Sequence, residues 1–186
     1  MKLWLVRHAQ PLVAPGTCYG HLDVAVCLAG TAECAEQLAM CLPVGSRVIS
    51  SPLQRCEQLA HALHGLRPDL PYKTDPRLQE MNFGCWEGCA WEEIHLAELQ
   101  AWTGDFANYA VGQHGESVTA FMARVASAFD EMENAPATVW ITHAGVIRAV
   151  DLLAQGVRHV AHASQWPLEA LKYGQWRTLD LPEQPG

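Results

Sequence analysis

The run Lys2-Leu3-Trp4-Leu5-Val6, followed at once by Arg7-His8, decides how this chain reads. It is too short and too apolar for an amphipathic helix and reads as a buried strand. The same signature returns twice. Arg47-Val48-Ile49-Ser50 leads into Ser51 and Arg55, and Thr138-Val139-Trp140-Ile141-Thr142 leads into His143. Helical segments separate these strands. Thr31 to Leu42 is rich in Ala, Glu, Gln, Leu and Met and is closed by Pro43. Ser51-Pro52 predicts a helix through His64, with Ser51 as N-cap and Pro52 at the first helical position. Gly145 to Leu153 predicts the helix after the third strand.

Outward from these units the pattern is plainer. Residues 11–27, with Pro11, Pro15, Gly16 and Gly20, read as loop, and 75–90 as irregular. Tyr72–Thr74 reads as a short edge strand, 91–102 and 117–133 as helices, and 171–179 as a last strand. The tail Pro182 to Gly186 reads as frayed. Strand–helix alternation predicts a three-layer α/β/α sandwich with a mostly parallel central sheet, one domain over residues 1–186. Ligands of such sheets sit at the carboxyl ends of the strands. Arg7-His8, Ser50-Ser51 with Arg55, and Thr142-His143 are therefore expected to meet at one edge.

Composition narrows the partners. The 186 residues are 49% hydrophobic and 17% charged, with a formal net charge of −8, a globular composition rather than a disordered one. The acidic balance argues against nucleic acid or an anionic membrane surface as partner. Nine of the twelve basic residues are Arg, so a local cluster can still overrule the global sign. No apolar stretch reaches the roughly 18 residues needed to span a bilayer. The apolar run at the N-terminus is too short for a signal peptide. Seven cysteines without a CxxC pair read as reduced thiols, which predicts a cytoplasmic location.

Two His and two Arg at one sheet edge describe an oxyanion site. Arg offers a planar fork that matches phosphate oxygens. A neutral imidazole can attack phosphorus and form a phosphohistidine, dividing one displacement into two. Backbone N–H groups at the start of the helix after His143 can add donors. The leaving alkoxide needs a proton donor, and Glu80, in Leu78-Gln79-Glu80-Met81-Asn82-Phe83-Gly84, is the candidate. Nearby aromatics and the phosphate's own charge would favour its protonated form. Glu87 is the alternative carboxylate.

Four ordered blocks carry a resemblance. They are Leu5-Val6-Arg7-His8-Ala9, Ser50-Ser51-Pro52-Leu53-Gln54-Arg55, Leu78-Gln79-Glu80-Met81-Asn82-Phe83-Gly84, and Thr142-His143-Ala144-Gly145. Gly115-Glu116-Ser117 adds a fifth piece. In order and spacing the chain resembles the histidine phosphatase superfamily, also called phosphoglycerate mutase-like. The resemblance implies a phosphorylated nucleophile at His8, a proton donor at Glu80, and a phosphate pocket of Arg7, Arg55 and His143. It also implies phosphatase chemistry with no metal and no organic cofactor, on a small phosphorylated substrate.

The stretch Cys18-Tyr19-Gly20-His21-Leu22-Asp23 further resembles alpha-ribazole phosphatase-like members, which remove the 5′-phosphate of alpha-ribazole phosphate in cobalamin synthesis. Mutases of the family are usually longer, so this length favours hydrolysis over mutase transfer. Phosphohistidine or phosphoprotein hydrolysis is the other alternative, and the oligomeric state is left open. The chain departs from the family at Ala9, where Gly is usual, at Gln10 and Pro11, and at Ala14, where many members carry Asn. Gln10 and Tyr19 to His21 are therefore second-rank contact candidates. His159 and His162, three apart, read as surface residues for want of a third metal ligand. Cys85 and Cys89 read as buried thiols, and Trp86 and Trp91 as site wall or core.

Overall fold

A computed structural model describes residues 1–133 and 135–182. The expected frayed end from Glu183 onward lies outside the described residues. Five strands form one sheet in the order β3-β2-β4-β1-β5, with β1 at Lys2–Arg7, β2 at Arg47–Ser50, β3 at Tyr72–Thr74, β4 at Ala137–Thr142 and β5 at Trp176–Asp180. All neighbours pair in parallel except β1 with β5. Every residue of β4 is buried, as the middle strand of a sheet covered on both faces must be.

Alternation along each strand divides the core in two. Leu3, Leu5, Ile49 and Trp140 face one layer, where they join Phe121, Met122 and Val125 of α4 (Val118–Asp130) and Val146, Val150 and Leu153 of α5 (Ala144–Ala154). Val6, Val48, Val139 and Ile141 face the other, where Leu38 of α1 (Leu28–Cys41) and Leu59 and Leu63 of α2 (Gln54–Leu66) cover them. The result is the α/β/α sandwich that the alternation predicts. The short α3 (Leu96–Gly104) lies at the margin, with Leu99 and Trp102 packed on the first core.

Four elements differ from expectation, each for a reason outside its own stretch. Helix α1 begins three residues earlier, at Leu28, because the chain before it is pinned where Cys27 N–H donates to the Gln10 carbonyl. Helix α2 begins at Gln54, not at Pro52, and Ser51 is not its N-cap. Ser51 continues the sheet, donating N–H to the Ile141 carbonyl at 2.9 Å, while the carboxylate of Asp23 accepts the Gln54 N–H at 2.7 Å. The stretch 91–102 splits into a 3-10 turn at Trp91–Glu93 and the later α3. Strand β5 starts at Trp176, because the preceding residues make a turn that docks on β1.

Candidate active site

Strands β1, β4 and β2 are neighbours, and each ladder runs one residue beyond its strand. His8 N–H donates to the Thr142 carbonyl at 3.2 Å, and Ser51 N–H to the Ile141 carbonyl at 2.9 Å. Strands lie about 4.8 Å apart, so His8, His143 and Ser51 leave the sheet side by side. Together with Arg7, Thr17, Tyr19, Arg55, Glu80, Trp91 and Ala144, both histidines line a cleft of about 150 Å³. All five residues singled out for phosphoryl chemistry are in that cleft.

His8 is 2% exposed. Its Nδ1 lies 2.7 Å from the Ala9 carbonyl, which can only accept, so Nδ1 carries the proton and Nε2 keeps its lone pair. Burial, and then the positive charge of Arg55, push its pKa down to about 3. The ring is therefore neutral across the physiological range. His143, 5.2 Å away between ring centroids, is held well below its ordinary pKa by the same two causes. Its Nδ1 accepts from Arg55 Nε–H at 3.3 Å, so its Nε2–H donates to Ser51 Oγ at 2.8 Å. Ser51 is thus a site residue that its place before Pro52 disguised as a helix cap.

These buried neutral histidines set a pH dependence. Their folded pKa values lie below the unfolded value near 6.5, so between the two the unfolded chain binds more protons. Their contribution to stability is full above about pH 6.5 and is lost as pH falls toward 3. The unfolding free energy of the wild type, read from denaturant titrations, should change little above about pH 6.5 on this account and fall from there to pH 4.5. In His8→Ala the slope should be shallower by about 1.4 kcal/mol per pH unit; equal slopes would contradict the assigned burial.

Arg55 is fully buried and its three nitrogens are all engaged. Besides His143, it donates to the carbonyls of Leu22, at 2.8 Å, and of Gly20. Two of its five N–H groups remain for a ligand. The loop that supplies those carbonyls is itself held by Glu87, whose carboxylate accepts N–H from Gly20, His21, Leu22 and Phe83 at 2.8–2.9 Å. That network occupies Glu87, which does not line the cleft. Gln10 is exposed and also lies outside the cleft, whereas Tyr19 is part of its wall.

Glu80 reaches the cleft from an irregular segment between elements. Its Oε2 accepts Gly145 N–H at 2.9 Å in the first turn of α5, and its Oε1 accepts Met81 N–H at 3.2 Å. Arg124 of α4 holds the backbone behind it, donating to the carbonyls of Arg77, Gln79 and Glu80 while forking onto the Glu116 carboxylate at 2.9 and 2.7 Å. The Gly-Glu-Ser piece therefore serves the Glu80 segment. A Cβ at Gly145 would stand 2.2 Å from Glu80 Oε1. Gly145→Ala should displace that carboxylate and lower kcat by about ten-fold or more, with the melting temperature little changed. Wild-type kcat in this variant would show that Glu80 need not sit where it does.

Beyond Glu80 the cleft opens into a second cavity of about 290 Å³, walled by Tyr19, Phe83, Trp91, Trp102, Phe106 and Trp166, with Arg148 at its edge. Trp91 and Trp102 lie nearly parallel, their ring centroids 6.4 Å apart. Trp86, in contrast, is buried core. Cys85 is exposed and Cys89 half-buried, contrary to expectation, because the turn at Gly84–Trp86 points Trp86 inward instead. All seven cysteines are free. His159 and His162 are exposed on a loop after α5. Among the described residues no group of three or more His, Cys, Asp or Glu could hold a metal ion, and no helix is long and apolar enough to cross a membrane.

A buried neutral imidazole that shares a cleft with two arginines and a carboxylate has the groups that phosphoryl transfer through histidine would need. The chain belongs to the histidine phosphatase superfamily, branch 1, whose family model matches residues 3–180. It is an enzyme of phosphatase or mutase chemistry. It is 30% identical over 192 residues to the adenosylcobalamin/alpha-ribazole phosphatase of Salmonella typhimurium, covering 98% of this chain and 92% of that one. It is 27% identical over 196 residues to the Escherichia coli protein of the same name, covering 99% and 92%. A crystal structure described as phosphoglycerate mutase from Thermus thermophilus superposes with a TM-score of 0.73 at 29% identity, covering 99% of this chain and 95% of that one.

Proposed function

We propose that this enzyme is a phosphomonoesterase that hydrolyses a small-molecule phosphate ester through a phosphohistidine at His8. The observation that carries the reading is the His8 tautomer: Nδ1–H is tied to the Ala9 carbonyl, and Nε2 presents a lone pair in the same cleft as Glu80. In the first step Nε2 attacks phosphorus and the P–O bond to the leaving group breaks. The leaving oxygen takes a proton from Glu80. In the second step Glu80 removes a proton from water, whose oxygen attacks phosphorus, and the P–N bond breaks to return His8. Arg7, Arg55 and His143 surround the transferring oxygens and stabilise their charge as it redistributes.

The aromatic cavity beside Glu80 lies where a leaving group would extend. Its walls favour a flat, largely apolar group over a sugar acid or a peptide. Alpha-ribazole 5′-phosphate is the substrate we infer, a reading supported by the Salmonella and Escherichia coli relatives named adenosylcobalamin/alpha-ribazole phosphatase. The test is a panel of esters ranked by kcat/KM: alpha-ribazole phosphate, 3-phosphoglycerate, a phosphopeptide and p-nitrophenyl phosphate, each with and without EDTA. Alpha-ribazole phosphate should rank first and release inorganic phosphate, and EDTA should leave the rates unchanged. Transfer between phosphoglycerates instead of release would replace this reading with a mutase. Loss of turnover in EDTA would replace the metal-free route.

A further inference from the structure

The turn before β5 is built onto the backbone of the proposed nucleophile. Gly174, at φ +69°, donates N–H to the carbonyls of both Arg7 and His8, at 3.2 and 3.0 Å, and Arg7 N–H donates to the Gln175 carbonyl at 2.9 Å. That left-handed conformation suits Gly and few other residues. Gln175 N–H closes the turn on the Lys172 carbonyl at 3.2 Å. Tyr173, at the turn's centre, is therefore fixed relative to Arg7-His8 by three main-chain hydrogen bonds, independently of any contact of its own side chain.

That side chain lies against both residues. The Arg7 guanidinium carbon sits 3.9 Å from the Tyr173 ring centroid, and the His8 ring centroid 5.7 Å from it. The Tyr173 hydroxyl meets the Tyr19 hydroxyl at 2.7 Å, and the Tyr19 ring lies 5.4 Å from the Arg55 guanidinium carbon. Two tyrosines from two distant loops thus brace one another beside the cleft.

Arg7 has its fork divided. Nη1 donates to the Leu171 carbonyl in the same turn region. Nε is buried, and neither it nor Nη2 has a hydrogen-bond partner among the described residues. Nε–H and one Nη2–H share an edge of the guanidinium, the edge that takes two oxygens of an oxyanion at once. A buried N–H left without a partner costs stability until an acceptor completes it, and an oxyanion at this edge would do so.

We propose that Tyr173 is the positioning residue for Arg7. Its ring sets the plane of the guanidinium and the Leu171 carbonyl sets its rotation, so that the Nε–Nη2 edge is held ready for two oxygens of the bound phosphoryl group. The inference rests on the phosphatase reading above only for the identity of that anion. A free arginine at a strand end must lose side-chain rotamer entropy when it grips phosphate. Here the stacking and the carbonyl bond have already restricted the side chain.

The test compares wild type, Tyr173→Leu and Tyr173→Phe. It measures the inhibition constant of inorganic phosphate, kcat and KM on p-nitrophenyl phosphate, and thermal melts to confirm folding. Tyr173→Leu should weaken phosphate about ten-fold, the upper part of the range for a cation over an aromatic face. Tyr173→Phe keeps the ring face and should recover most of that affinity. A purely structural role would shift the melts and leave the phosphate constant alone. Unchanged phosphate affinity in Tyr173→Leu, or equal loss in both variants, overturns the proposal. Tyr173→Met replaces the leucine variant if that one does not fold. Should the wild type not turn over, calorimetric titration with inorganic phosphate reads the same comparison. Absent turnover counts against the phosphatase reading alone, and absent phosphate binding by the wild type counts against both.

Discussion

Replacing His8 by Ala should remove both turnover and the acid-labile phosphoenzyme, a loss of roughly four orders of magnitude or more. The expectation follows from the burial of the imidazole. At 2% exposure, with the charges of Arg55 and Arg7 nearby, a pKa of about 3 and Nδ1–H held by the Ala9 carbonyl, the ring stays neutral with its Nε2 lone pair free over the whole working range of pH, as the proposed nucleophile must. A surface histidine near pKa 6.5 would instead lose its lone pair to a proton below that pH. The acid limb of the pH–rate profile should therefore show no protonation of the nucleophile above about pH 4. Brief incubation with labelled substrate and acid quench tests the phosphoenzyme. Label retained in His8→Ala would move the covalent step to another residue, and wild-type rates in that variant would end the mechanism.

Glu80→Gln carries the second large effect, and its signature is selectivity rather than size alone. A proton donor matters most where the leaving oxygen is a poor one. The variant should lose roughly 10²- to 10⁴-fold on an alkyl phosphate and much less on p-nitrophenyl phosphate, whose phenolate leaves without help. The amide preserves shape and can still accept the Gly145 N–H that now binds Oε2, so a general collapse of the cleft is not expected. Equal losses on the two esters would assign Glu80 to binding or positioning. Glu87 gives the contrasting case. Its carboxylate holds four backbone N–H groups, so its loss should act first on folding of the Gly20–Leu22 loop and on Arg55 behind it.

Much of this was legible in one dimension. The short apolar runs at 2–6, 47–50 and 138–142 read as strands because a parallel sheet buried on both faces needs continuous apolar stretches. Their shared habit of ending in Arg, His or Ser then pointed to one edge. Sequence did not reveal which serine caps and which serves the site. Ser51 has the composition of an N-cap, and only the register of β2 against β4 places its hydroxyl on His143 Nε2. Glu80 and Glu87, seven residues apart, are equivalent by type. What separates them is that one reaches the start of α5 and the other meets the N–H groups of a loop more than sixty residues earlier.

Sequence by itself pointed to the layer architecture and to five of the nine residues that line the cleft, because apolar periodicity and residue chemistry are properties of short stretches, and the order of its motif blocks carried the resemblance to the family. Tertiary structure alone decided their states. The depressed pKa of His8 and the neutral form of His143 come from burial and from the charge of Arg55. The Gly145–Glu80 contact, the aromatic cavity and the stacking of Tyr173 on Arg7 join residues dozens to more than 160 positions apart. Desolvation, tautomer choice and the aim of a guanidinium depend on what surrounds a group in space. A strand's own pattern specifies that it is buried, while its neighbours in the sheet specify what it is buried beside.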